Sequence, residues 1–148
     1  MPDHDEYGKQ LFADILGTRW RTRLDSERSV EMGGVRADLD GVIRSTDGSK
    51  VECSVEIEAR VYKQIRGAIV DLAWHHAPKK LLVIIPAQPQ LGNEERIRRH
   101  CTYVWTRLTR SEEQPFRLAV LVGTGTNPRP SIDRDLLVAA LRELDLIL

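Results

Sequence analysis

A chain of 148 residues, 41% hydrophobic and 30% charged, is long enough to bury roughly two thirds of its surface around its own core. This composition excludes disorder over most of the length and removes any need for metal or disulfide staples. Lys and Arg number 22 and so do Asp and Glu, for a formal net charge of zero, so bulk charge gives no argument for a nucleic-acid partner, which local patches would have to meet. No apolar run approaches the roughly 20 residues of a membrane span. The opening MPDHDEYGKQ is acidic and polar where a signal peptide is basic and then apolar. The expectation is a single cytosolic domain over residues 1 to 148.

Tyr7, Leu11, Phe12, Ile15 and Leu16 follow helical spacing and predict an amphipathic helix over residues 5 to 17, ending at Gly17. A strand is expected near residues 20 to 32. Residues 35 to 43 then alternate, with Val35, Ala37 and Leu39 on one face and Arg36, Asp38 and Asp40 on the other. The Asp47-Gly48 dipeptide marks a hairpin turn, followed by a second strand from 50 to about 60. There Val51, Cys53, Val55 and Ile57 oppose Glu52, Ser54, Glu56, Glu58 and Arg60. Helical spacing returns from Tyr62 to Ala73, closing near Ala77 before Pro78. Residues 81 to 85 are wholly apolar, as in a strand covered on both faces. After a loop from 86 to 92, a helix turns Ile97, Cys101, Val104, Trp105 and Leu108 inward. Residues 116 to 122 predict another strand, and 131 to 146 a last helix capped near Ser131 or Asn127. Cys53 and Cys101, without metal-site spacing, read as buried thiols. This order predicts an α/β fold, a mixed central sheet with helices on both faces.

The chemistry-bearing feature is the set of carboxylates on the two hairpin strands. Period-two geometry puts Asp38 and Asp40 on one face, and Glu56 and Glu58 on one face of the next strand about 4.8 Å away. Like charges gathered this way repel, and a hard divalent cation is the simplest way to make them tolerable. Mg²⁺ or Mn²⁺ is the expected ion.

The run Arg36-Ala37-Asp38-Leu39-Asp40-Gly41-Val42-Ile43, the turn, Val55-Glu56-Ile57-Glu58-Ala59-Arg60, a helix containing Gln64 and the apolar strand of 81 to 85 resemble the core of the PD-(D/E)XK nucleases. The resemblance covers about residues 35 to 86. It implies a restriction-endonuclease-like αβββαβ core with a C-terminal helix-strand-helix extension, and metal-dependent hydrolysis of DNA phosphodiesters. By position Asp38 matches the motif's Asp, Glu56 its acid and Glu58 its Lys. Metal would then be held among Asp38, Glu56, Asp40 and Glu58, with Glu58 holding or deprotonating the attacking water. The motif's cation is absent at Glu58, and Arg60 or Lys63 could replace it. Gln64 falls where the family places a polar residue on the helix behind the site, and Glu6 could add an outer ligand. An alternative register pairs Asp40 with Glu58-Ala59-Arg60; the first is favoured.

Arg36, Arg96, Arg99 and Arg107 are the residues expected to meet DNA phosphates, and a homodimer is expected because one site per chain must act twice on a duplex. Two other readings stay open: a non-catalytic protein of the same fold that binds nucleic acid or protein, and an unrelated α/β domain whose acidic face is merely solvated. Trp105 reads as core, and His75 as a complement to its helix dipole. The loop Gly123-Thr124-Gly125-Thr126-Asn127 reads as a strand-to-helix connection, lacking the residues of a P-loop.

Overall fold

The computed structural model describes residues 4–23, 26–59, 63–86, 94–110 and 115–148. Helix α1 (His4–Leu16) ends where Gly17 takes φ +57°, a left-handed conformation that glycine adopts without steric penalty. Four strands follow: β1 (Trp20–Arg21), β2 (Ser29–Met32), β3 (Val35–Asp38) and β4 (Gly41–Arg44). Next come β5 (Val51–Glu58), α2 (Lys63–Trp74), β6 (Lys79–Ile84), α3 (Glu94–Thr109), β7 (Phe116–Val120) and α4 (Pro130–Glu143).

The main sheet has the order β1-β4-β5-β6-β7, with β4 antiparallel to β1 and β5, and β5, β6 and β7 parallel. Alternation along the central strands divides the core in two. Cys53, Val55, Ile57, Leu81 and Val83 pack under α1 and α4, while Leu82, Ile84 and Val120 pack under α2 and α3. The architecture is therefore α/β, with a mixed sheet covered on both faces. Trp105 is buried and stacked on Phe116 at 4.4 Å, and Cys53 and Cys101 are buried free thiols. Among the described residues no helix is long and apolar enough to cross a membrane.

The alternating run of residues 35 to 43 is two strands, not one. β3 leaves the main sheet and pairs with β2 in a separate two-stranded ribbon, whose tip is Gly33-Gly34 with both φ positive, the requirement of a tight hairpin turn. The chain breaks at Leu39, which is fully buried. Buried Arg28 holds the break: its Nη1 donates to the carbonyls of Leu39 at 2.6 Å and Asp40 at 3.3 Å, and its own carbonyl accepts from the Leu39 N–H. The segment around residues 20 to 32 likewise divides between sheet (β1) and ribbon (β2).

The β4–β5 hairpin forms at the expected turn. Asp47 Oδ1 accepts from the Ser45 and Ser49 hydroxyls and the Ser49 N–H, and Gly48 sits at φ +75°. These hydrogen bonds hold the Asp47 carboxyl below the usual range. Gly41, first in β4, lies under the Trp20 indole, which stacks on Phe12. A Cβ at Gly41 would meet the ring at 2.2 Å. Gly41→Ala is expected to displace the indole and cost about 2 kcal/mol, as overpacked cores do, read as a lower urea midpoint at unchanged m-value.

Helix α4 starts with Pro130 at its first turn and has no side-chain cap at Arg129; neither Ser131 nor Asn127 is its cap residue. Asp133, fully buried in its first turn, joins this helix to β7 and α1 instead. Its carboxylate accepts from Val122 N at 2.6 Å, Gly123 N at 2.9 Å and the Tyr7 hydroxyl at 2.5 Å. The Tyr7 oxygen in turn accepts from the Arg129 N–H.

Candidate active site

β5 is the central strand, and its last residues carry Glu56 and Glu58 on the face turned toward α2 and α3. The antiparallel register Gly41↔Val55 sets Asp40, the residue before β4, opposite Glu56. The two are laced reciprocally: Asp40 N donates to Glu56 Oε1 at 2.9 Å, and Ile57 N donates to Asp40 Oδ2 at 2.6 Å. Backbone groups that would have extended the ladder thus fix the two carboxylates side by side.

Burial and mutual repulsion dominate the electrostatics. Glu56 is pushed up to about 9, first by burial and then by the charges of Asp40, Asp71 and Glu58, against the hydrogen bond from Asp40 N. Asp40 is raised to about 6, chiefly by burial and also by Asp5, against the Ile57 hydrogen bond and the charge of Lys9. At neutral pH the pair holds a proton, a macroscopic property of the two groups together.

Two helices complete the surroundings. Asp71 of α2 is itself raised by burial. On the opposite face α1 lies close to the sheet, since Gly8 sits where a Cβ would come within 3.0 Å of Ile57 and 3.1 Å of Ile85. That approach carries Asp5 to Asp40, with which it shares a side-chain hydrogen bond. One turn on, Lys9 pairs with Asp5 at 2.8 Å.

Asp38, the favoured partner of Glu56 in the sequence, is not beside it. It ends β3 on the ribbon, opposite Ser29, and pairs with Arg36 at 3.3 Å. The set brought together is Asp40, Glu56 and Glu58, which combines the Asp of one sequence register with the acids of the other. Glu58 Oε1 accepts from Ala59 N. Lys63 and Gln64 are exposed on the first turn of α2, and Arg60 lies outside the described residues. Glu6 is exposed on α1, and it is Asp5 that reaches Asp40. The sequence carries no signal that places Asp5 and Lys9 at this site. An acid and a base four apart in a helix look like any surface pair.

Arg96, Arg99 and Arg107 are exposed on α3. Arg99 pairs with Glu95 at 3.0 Å, and the Arg107 guanidinium lies 5.9 Å from the Tyr103 ring centre. Trp105 stacks on the start of β7 while Arg98 reaches the Leu118 carbonyl farther along. α3 therefore runs antiparallel to β7, with its first turn toward the strand ends that carry Glu56 and Glu58.

His75 is buried rather than a solvated complement to the α2 dipole. Its Nδ1 accepts from Ala77 N, so Nε2 carries the proton that meets the Glu27 carbonyl at 2.5 Å. Burial, then the charges of His76 and Lys80, lowers it to about 3. The cation at this helix end is buried Lys80, whose Nζ donates to the His75 carbonyl and which burial lowers to about 8.

Among the described residues no group of three or more His, Cys, Asp or Glu side chains is arranged to hold a metal ion. The site supplies two adjacent hard oxygen donors, Asp40 and Glu56. A two-carboxylate set fits Mg²⁺, which keeps several waters and takes further oxygens from substrate phosphates. No family model matches the chain, and no curated protein or solved structure is significantly similar to it.

Proposed function

We propose that the chain is a metal-dependent nuclease that hydrolyses DNA phosphodiester bonds. The observation that carries this reading is the Asp40–Glu56 pair, two half-buried carboxylates held together by the Asp40 and Ile57 amides against their own repulsion. Such an arrangement is unfavourable for the isolated protein and becomes favourable when a cation binds. The order of main-sheet elements supports a restriction-endonuclease-like core: α1, β1, β4, β5, α2 and β6 run helix, three strands, helix, strand, with the β2–β3 ribbon inserted after β1.

In this reading Asp40 and Glu56 hold Mg²⁺ or Mn²⁺. The ion, when bound, stabilises charge on the phosphoryl oxygens and acidifies a water. Glu58, one alternation along the strand, accepts a proton from the attacking water. The water oxygen bonds to phosphorus as the ester P–O bond breaks, and the departing oxygen takes a proton from solvent. Arg96 and Arg99 in the first two turns of α3 contact flanking phosphates, as Arg36 does from the ribbon and Arg107 farther along α3. A homodimer supplies the second site a duplex requires.

Supercoiled plasmid, single-stranded DNA and branched DNA should be incubated with Mg²⁺ or Mn²⁺, with EDTA as control. Cleavage is expected to fall on the order of 10³-fold in Asp40→Asn and in Glu56→Gln, because the ion that stabilises phosphoryl charge and acidifies the water loses a ligand. Asp38→Asn should stay within about threefold of wild type, because Asp38 lies on the ribbon, outside the Asp40–Glu56 pair. Absence of metal-dependent cleavage on every substrate would favour a non-catalytic binding module.

A further inference from the structure

Two carboxylates and a third acid in place of the motif's lysine leave the reacting phosphate facing negative charge. The groups that act most strongly on Glu56 are Asp40, Asp71 and Glu58, all carboxylates. Besides exposed Lys63 on α2 and the arginines of α3, α1 presents a cation to the site. Gly8 brings that helix against Ile57, whose own N–H holds Asp40. Lys9 is the next residue, on the turn that carries Asp5 to Asp40.

Its pairing also differs from those of α3. The Glu94–Arg98 and Glu95–Arg99 pairs have side-chain exposures of 56%/44% and 78%/76%, whereas Lys9 and Asp5 are at 31% and 41%. The acid of this pair is committed to Asp40 as well, so Asp5 tethers the ammonium beside the site. A compact point charge on a flexible stem suits contact with a phosphate oxygen.

We propose that Lys9, held by Asp5 on α1, is the phosphate-binding cation of the Asp40–Glu56 site. This inference rests on the nuclease reading. Lys9 donates Nζ hydrogen bonds to a non-bridging oxygen of the scissile phosphate, where charge builds as the water attacks.

The test compares Lys9→Met and Lys9→Arg with wild type, using calorimetric titration with Mg²⁺ alone and cleavage kinetics on the DNA form that wild type cuts best. Lys9→Met should lower kcat about 100-fold, the scale for removing one preorganised donor. It should bind Mg²⁺ as tightly as wild type or more tightly, since a nearby positive charge has gone, and melt within a few degrees of it. Lys9→Arg should recover most of the lost kcat. Cleavage by Lys9→Met within twofold of wild type would overturn the assignment and leave the nuclease reading intact. Weakened Mg²⁺ binding in step with the lost rate would also overturn it, by showing that Lys9 only orders the carboxylates. A wild-type protein that cuts nothing would remove both readings together.

Discussion

Asp133→Ala is expected to destabilise the fold by about 4 kcal/mol, at the high end for one substitution. Three donors converge on this carboxylate at 2.5 to 2.9 Å: the Tyr7 hydroxyl and the amides of Val122 and Gly123. Each buried donor left without an acceptor costs about 1 to 3 kcal/mol. Water has little access, since Asp133 is 0% exposed. Asp133→Asn retains one carbonyl oxygen but brings an NH₂ against N–H donors, and should lose about half as much. For a chain of this length about 4 kcal/mol corresponds to a fall in Tm on the order of 10 °C, read by calorimetry. Tyr7→Phe removes one donor from Asp133 and leaves the Arg129 N–H without its acceptor, and should cost about 2 kcal/mol.

Without divalent metal, stability should fall by about 2 kcal/mol between pH 6.5 and 8, and Glu56→Gln should abolish that fall. The Glu56 carboxyl is raised from 4.5 to about 9, so across this interval the folded protein keeps a proton that the unfolded chain has released. Unfolding then releases a proton, and linkage makes stability decrease as pH rises, by at most about 1.4 kcal/mol per pH unit. The other shifted groups leave this window clear. Asp40, raised to about 6, and His75, lowered from 6.5 to about 3, act mainly below it. Lys80, lowered from 10.5 to about 8, acts above it and with the opposite sign. On the proposed reading Mg²⁺ takes the ionised pair, and it should flatten or reverse the slope in wild type but not in Glu56→Gln. Urea titrations at four pH values, with and without Mg²⁺, read the effect directly. The variant would be the more stable protein at pH 8 and, on the nuclease reading, the less active one, the exchange seen where function holds like charges together.

What could be read from the residues, and what could not, follows from the range of the interactions. Helical and strand periods are local, so α1, β5, α2 and β6 lay close to their expected bounds, and Glu56 and Glu58 fell on one face of one strand. The choice between Asp38 and Asp40 depended on where the chain changes sheets. A break at Leu39 leaves the alternation of residues 35 to 43 intact on both sides, because each fragment remains extended; only the partner strand changes. Gly33-Gly34 was the available signal, a two-residue turn that implies a hairpin ending near Asp38. Arg28, which fixes the break through backbone carbonyls, leaves no periodic trace. The same holds for the Asp5–Asp40 contact, which depends on Gly8 allowing a helix to approach the sheet. His75 looked like a helix-end cation because its burial against the Glu27 carbonyl comes from a segment 48 positions away.

The Tyr7–Asp133 bond also has a bearing on when the site exists during synthesis. Tyr7 lies between Asp5 and Lys9 on α1, and its partner follows 126 positions later. A ribosome adding roughly 5 to 20 residues per second takes on the order of 6 to 25 s to cover that interval. For all of that time α1 lacks the anchor that seats it against β7 and α4. A nascent chain thus carries Asp40, Glu56 and Glu58 well before α1 is anchored to hold Asp5 and Lys9 against them.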